Sequence, residues 1–110
     1  MFLPKTEIKA ILDKLGCTVE QPNTVAFTSL PAATFIVGNN DIDINLDNEI
    51  RGQDIEVIID IWAETSVEAS TLLNSLEEEM RAGQYKMVFS ADIPNTDGIF
   101  HISTRFNTTK

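Results

Sequence analysis

Asp54-Ile55-Glu56-Val57-Ile58-Ile59-Asp60-Ile61-Trp62-Ala63-Glu64 is the stretch on which the fold turns. Its apolar residues recur with a period of two, so Ile55, Val57, Ile59 and Ile61 share one face of an extended strand. The other face carries Glu56, Ile58, Asp60 and Trp62. A strand face turned wholly to water is more uniformly polar than this, so the second face calls for a cover. Two covers fit: a loop or strand of the same chain, or a neighbouring subunit, at whose surface tryptophan is enriched among anchoring residues.

Upstream, Asp41-Ile42-Asp43-Ile44-Asn45-Leu46-Asp47 alternates strictly, which predicts a half-buried strand. The polar stretch Asn48 to Gln53 joins it to the run from Asp54, and the pair reads as a long antiparallel hairpin. Before it, Val25, Phe27 and Ala33-Thr34-Phe35-Ile36-Val37 read as extended, interrupted by Pro31 and ending at Gly38-Asn39-Asn40. From Pro4 to Gly16, Ile8, Ile11, Leu12 and Leu15 fall at i, i+3, i+4 and i+7, one stripe of a helix that Gly16 can end in the left-handed conformation. A short extended piece, Cys17 to Glu20, follows.

Downstream, Thr65-Ser66-Val67-Glu68 has the pattern of a capping box, in which the threonine hydroxyl accepts from the third helical N–H and the glutamate reaches back to the cap's N–H. The helix it opens carries Ala69, Leu72, Leu73, Leu76 and Met80 on its apolar side and stops at Gly83. Two further strands, Tyr85 to Ile93 and Ile99 to Thr108, flank the turn-rich Pro94-Asn95-Thr96-Asp97-Gly98 and form a second hairpin. Each element offers one apolar face. The arrangement that covers them all is α+β: one mainly antiparallel sheet with two amphipathic helices packed on one face. At 110 residues, residues 1–110 form a single domain.

Charge and cysteine usage bound the function. Seventeen acidic against eight basic residues give a net charge of −9, which argues against a surface that grips phosphates and so against sequence-specific nucleic-acid binding. Cys17 is the single cysteine, so no internal disulfide forms, and a buried or half-buried thiol is expected, in keeping with a reducing cytosol. Residues 1–14 lack the apolar run of a signal peptide, and Val57 to Ala63 is far shorter than the ~20 residues of a membrane span, so no membrane partner is expected. Asn107-Thr108-Thr109 matches a glycosylation acceptor, which needs a secretory route.

The chemical constellations are weak. Asp41, Asp43 and Asn45 have the spacing that opens an EF-hand calcium loop, but Leu46 stands where that loop needs glycine and Gly52 where it needs glutamate. Strand alternation alone produces the same spacing. His101 is the single histidine and lies opposite its strand's apolar residues, where a partly exposed side chain is expected. Glu77, Glu78 and Glu79 point about 100° apart on a helix and cannot converge on one substrate. The five glycines are isolated, with no phosphate loop. No enzyme, cofactor or metal site is expected.

The chain resembles the tail terminator, or tail completion, proteins of long-tailed bacteriophages and prophages. The likeness rests on the strand ending in Val37-Gly38, the alternating acidic strand, and Ile59-Asp60-Ile61-Trp62 closing the long strand. It continues in the helix after Thr65-Ser66 and in Asp97-Gly98-Ile99-Phe100-His101 leading the last strand. It covers about Ala33 to the end of the chain; Asn95-Thr96 makes a short connection where many relatives have a longer insertion. The resemblance implies a minor tail protein that forms a ring, commonly hexameric, on the last ring of tail-tube protein. Such a ring stops tube polymerisation and meets the head-tail connector, in the virion tail after assembly in the host cytoplasm. Its partners are then itself, the tube protein and the connector. The subunit interface is expected at Glu56, Ile58, Asp60 and Trp62, and Asp41, Asp43 and Asp47 form an acidic face toward the channel. Six copies of a −9 subunit would keep a passing genome from sticking. The alternatives are another small head-tail joining or tail assembly factor, or a cytosolic ligand-binding α+β domain with a pocket between helices and sheet.

Overall fold

The computed structural model describes residues 4–19, 30–44, 50–94 and 98–109, with 39–44 and 50–53 described as backbone. In chain order the elements are α1 (Pro4–Lys14), β1 (Thr18–Val19), β2 (Ala32–Ile44), β3 (Ile50–Ala63), α2 (Ser66–Ala82), β4 (Lys86–Ile93) and β5 (Phe100–Thr109). The strands form one sheet in the order β1-β2-β3-β5-β4. Only the short β1–β2 pair is parallel, and the other three pairs are antiparallel. The fold is therefore α+β with a mainly antiparallel sheet.

The helices form where the apolar stripes predict. Ile8, Ile11 and Leu12 of α1 and Ala69, Leu72, Leu76 and Met80 of α2 are buried in one core. Across from them lie Ile55, Val57, Ile59, Ile61 and Ala63 of β3, with Ile102 and Phe106 of β5. Both helices thus cover the same face of the sheet. Each fully buried aliphatic side chain contributes about 1.5–3 kcal/mol, so this layer is the main source of stability. Thr104 sits within it at 0 % exposure, and its hydroxyl donates to the Ile59 carbonyl at 2.7 Å, which removes the cost of burying a polar group.

The ends of α2 refine the expected caps. Thr65 Oγ1 accepts from the Glu68 N–H at 3.1 Å, as a capping box requires. The Glu68 carboxylate accepts from the N–H of Glu64 at 3.2 Å, rather than from that of Thr65. At the other end the N–H of Gln84 bonds Arg81 O and that of Tyr85 bonds Met80 O, the two hydrogen bonds of a Schellman motif. The left-handed residue of that motif is Gln84, with φ 70°, while Gly83 has φ −85°. Gly83 is small for a different reason: a Cβ there would stand 3.2 Å from Glu7 Oε1 and 3.5 Å from Ile11 Cδ1, where α1 packs against the end of α2.

The strands depart from expectation in two places. The expected end at Gly38-Asn39-Asn40 is instead a β-bulge, since the β2–β3 register shifts between Val37 and Asn39 and pairing resumes at Asn39↔Glu56. An extra residue absorbed at Gly38 lets β2 run on to Ile44. The expected connection from Asn48 to Gln53 is also shorter, because β3 begins at Ile50 and Gly52 and Gln53 pair with Asp43 and Ile42. Of the segments read as extended, Val25, Phe27, Glu20 and residues 45–47 lie outside the described residues.

A two-stranded ribbon results. Among the described residues β5 pairs with β3 only from Asp54 to Ala63, so residues 42–44 and 50–53 continue beyond it as a pair. The molecule measures 54 × 25 × 23 Å, and its radius of gyration of 15.1 Å exceeds the roughly 13 Å of a compact chain of this length. Its 6786 Å² of surface likewise exceeds the ~6,100 Å² expected for its mass.

Candidate functional site

Glu56, Ile58, Asp60 and Trp62 lie on the sheet face away from the helices, because their neighbours on β3 are the core residues. All four are half-buried. Cross-strand register sets what stands beside them. Ile58 lies between Ile36 of β2 and Arg105 of β5, and Arg105 in turn pairs with Phe89 of β4. Trp62 lies between Ala32 and His101, and His101 pairs with Ile93. Between these rows runs a smaller, more polar one: Thr34, Asp60, Ser103 and Ala91. Two apolar or aromatic rows thus flank a polar one across four strands, roughly 7 Å apart along each strand.

Local contacts hold the face in shape. The His101 ring stacks on Trp62 with centroids 4.4 Å apart and planes 20° from parallel. His101 Nε2 lies 3.3 Å from Asp60 Oδ1, so the imidazole is fixed from its ring face and its edge. It is half-buried, the partly exposed position expected from alternation. Arg105 places its guanidinium carbon 5.5 Å from the centre of the Phe89 ring, a cation–π contact that steadies an exposed aromatic. At the bulge, a Cβ on Gly38 would stand 3.1 Å from Glu56 Oε1 and 3.3 Å from Ile58 Cδ1, so glycine there lets β2 approach those side chains. Ile36 and Phe89 remain 45 % and 48 % exposed, which leaves apolar surface at both sides of the Ile58 row.

Of the residues expected on an acidic face, Asp41 lies opposite Asp54 where the ribbon leaves the sheet, and Asp43 lies on the ribbon opposite Gly52. Asp47 lies outside the described residues. Asp54 Oδ1 accepts from Thr109 Oγ1 at 2.9 Å where the ribbon leaves the sheet. Among the described residues, no group of three or more His, Cys, Asp or Glu side chains is placed to hold a metal ion. Glu77 pairs with Arg81 at 3.5 Å on α2. Cys17 is half-buried with Sγ 3.8 Å from Leu12 O, and burial, helped by nearby Asp13 and opposed by the backbone hydrogen bond, pushes its thiol pKa up. That favours the unreactive thiol. Among the described residues, no helix is long and apolar enough to cross a membrane.

A separate cleft of about 440 Å³ opens between the first turns of α2 and the β4–β5 end of the sheet, lined by Ser66, Ser70, Asp92, Ile93 and Phe100 among others. The alternation of residues 54–64 marked the β3 part of the second face. It could not supply Phe89, His101 and Arg105 as neighbours, because those follow from β5 entering between β3 and β4, nor Ile36, which follows from the register of β2 on β3. The chain matches no model of a known protein family and no curated protein.

Proposed function

We propose that the protein is a non-catalytic assembly subunit of a phage or prophage tail. It forms a ring on the tail tube, ends tube polymerisation and joins the tube to the head connector. The observation that carries this reading is the second sheet face, where the Ile36–Ile58 and Trp62–His101 rows present apolar surface on a rigid four-stranded platform. A closed ring built head to tail needs two different complementary patches on each subunit. The Asp41–Trp62 hairpin supplies one, and its ribbon extends the reach of that patch beyond the subunit's own core. The resemblance to tail terminators adds the tube and the connector as partners, the virion tail as the final location and the host cytoplasm as the place of assembly.

Native mass spectrometry and negative-stain imaging test the ring, and addition of the protein to polymerising tail-tube protein tests the capping. Six-copy rings and shortened tubes are the expected outcome; a monomer at every concentration that leaves tube length unchanged overturns the proposal. Trp62→Ala should weaken the ring more than it lowers subunit stability, and equal ring populations in variant and wild type would remove the second face from the interface. The cleft beside α2 supports a second reading, a small-ligand-binding domain. A thermal shift from a small-molecule panel, abolished by Phe100→Ala in a protein that forms no rings, would favour it.

A further inference from the structure

β4 is the terminal strand of the sheet, and among the described residues no strand pairs with its outer edge. It is exposed along most of its length, with Val88 49 %, Phe89 48 % and Ile93 38 % exposed, half of the large apolar side chains so exposed among the described residues. Such an edge offers a row of unpaired backbone donors and acceptors, which proteins ordinarily protect with charge, bulges or cover. β4 carries Lys86 and a register shift against β5 between Met87 and Phe89 at its start, and beyond them one charge, Asp92. Residues 89–93 form a regular edge without a bulge, and Asp92 limits the registers in which it can pair.

Those five residues are self-complementary. Register with β5 puts Phe89, Ala91 and Ile93 on the second face, opposite Arg105, Ser103 and His101, and puts Ser90 and Asp92 on the helix side, opposite Thr104 and Ile102. Pairing this edge antiparallel with a second copy, about a two-fold axis through Ala91, sets Phe89 opposite Ile93 of the other copy, Ala91 opposite Ala91, and Ser90 opposite Asp92. Every opposed pair then shares a face, large apolar groups flank a small centre, and each carboxylate meets a hydroxyl. Neighbouring registers fail. A shift one way sets Asp92 against Asp92, and like charges directly opposite are destabilising. The other way runs Ile93 against Met87, which the bulge has turned to the helix side. The opposite edge of the sheet suits pairing less well, since β1 already covers Ala32 and Ala33, and Thr34 is only 5 % exposed.

We infer that the β4 edge, residues 89–93, is a homodimerisation site, joining two copies into a continuous sheet with β4 paired to β4. The Arg105 contact on Phe89 holds the aromatic ready for the incoming Ile93. Such a contact is isologous and closes at two copies, so it is independent of the head-to-tail contact of a ring.

Two experiments test it. In a Cys17→Ser background, Ala91→Cys should give a disulfide-linked dimer on mild oxidation, because residues opposed at the axis of an antiparallel pair lie about 4.5–5.5 Å apart at Cα, within disulfide reach. Ser103→Cys, one strand further in, should not link. Sedimentation equilibrium supplies the second arm: Ser90→Lys, facing Asp92 of the other copy, should tighten the dimer roughly tenfold at low salt, and Ser90→Glu should loosen it by a similar factor. Position 90 is exposed, so both variants keep the subunit fold. Cross-linking at 91 no faster than at 103, or a shift in the same direction for both Ser90 variants, overturns the site. Rings that form while residue 91 stays unlinked overturn this site and leave the ring reading intact.

Discussion

Tyr85 is the residue on which burial acts most visibly. It is 2 % exposed, and burial, with the negative charge of Glu7 adding, pushes its phenol from 10.0 up to about 12. The unfolded chain loses this proton near pH 10 and the folded chain near 12, so between those values the folded state holds the proton more firmly. The stability contributed is complete below about pH 10 and is lost as pH rises toward 12. Tyr85 is the single tyrosine, so absorbance at 295 nm follows it alone. A native midpoint well above the unfolded one is expected, and Tyr85→Phe should flatten the alkaline loss of melting temperature; a native midpoint near 10 would contradict the assignment. Neither the burial of Tyr85 nor its neighbour Glu7 is visible in sequence, where the residue sits only at the start of a strand.

At the scale of elements, the helix α2 shows what local pattern reports and what it omits. Its apolar stripe and N-cap were legible because both depend on residues within a few positions of one another. The stop at Gly83 was legible as well, but the glycine serves the packing of α1, and the left-handed position falls one residue later on Gln84. Gln84→Gly should therefore stabilise the protein by about 0.5–1 kcal/mol, since glycine adopts φ 70° without a Cβ penalty. The hydrogen bond from Thr108 Oγ1 to the residue-84 carbonyl, 2.7 Å, belongs to the backbone and survives the change. Chemical denaturation measures it, and a lower midpoint in the variant would show that Gln84 gains more from its side chain than it loses to strain. The bulge at Gly38 was illegible for a related reason. A glycine followed by two asparagines is turn chemistry, and only the partner strand reveals that the chain continues straight.

Over the whole molecule, the ribbon formed by residues 42–44 and 50–53 carries the β2–β3 pair beyond Asp54, where the described pairing with β5 ends. Replacing residues 41–54 by Asn-Gly joins the paired Asn40 and Ile55 through a two-residue hairpin turn. Cooperative thermal unfolding should persist in that variant while ring formation is lost; a protein that no longer unfolds cooperatively would place the ribbon within the stability core. The order of strands carries another consequence, for synthesis. β5 is made after β4 yet lies between β3 and β4 in the sheet. While the ribosome is still producing residues 86–93, the β5-facing edge of β3, Asp54 to Ala63, has no strand to pair with, and β4 has no place in the sheet. Closure waits for β5 to insert between two strands made before it, a non-local step of the kind that slows folding and leaves adhesive edges open to chaperones or to neighbouring nascent chains.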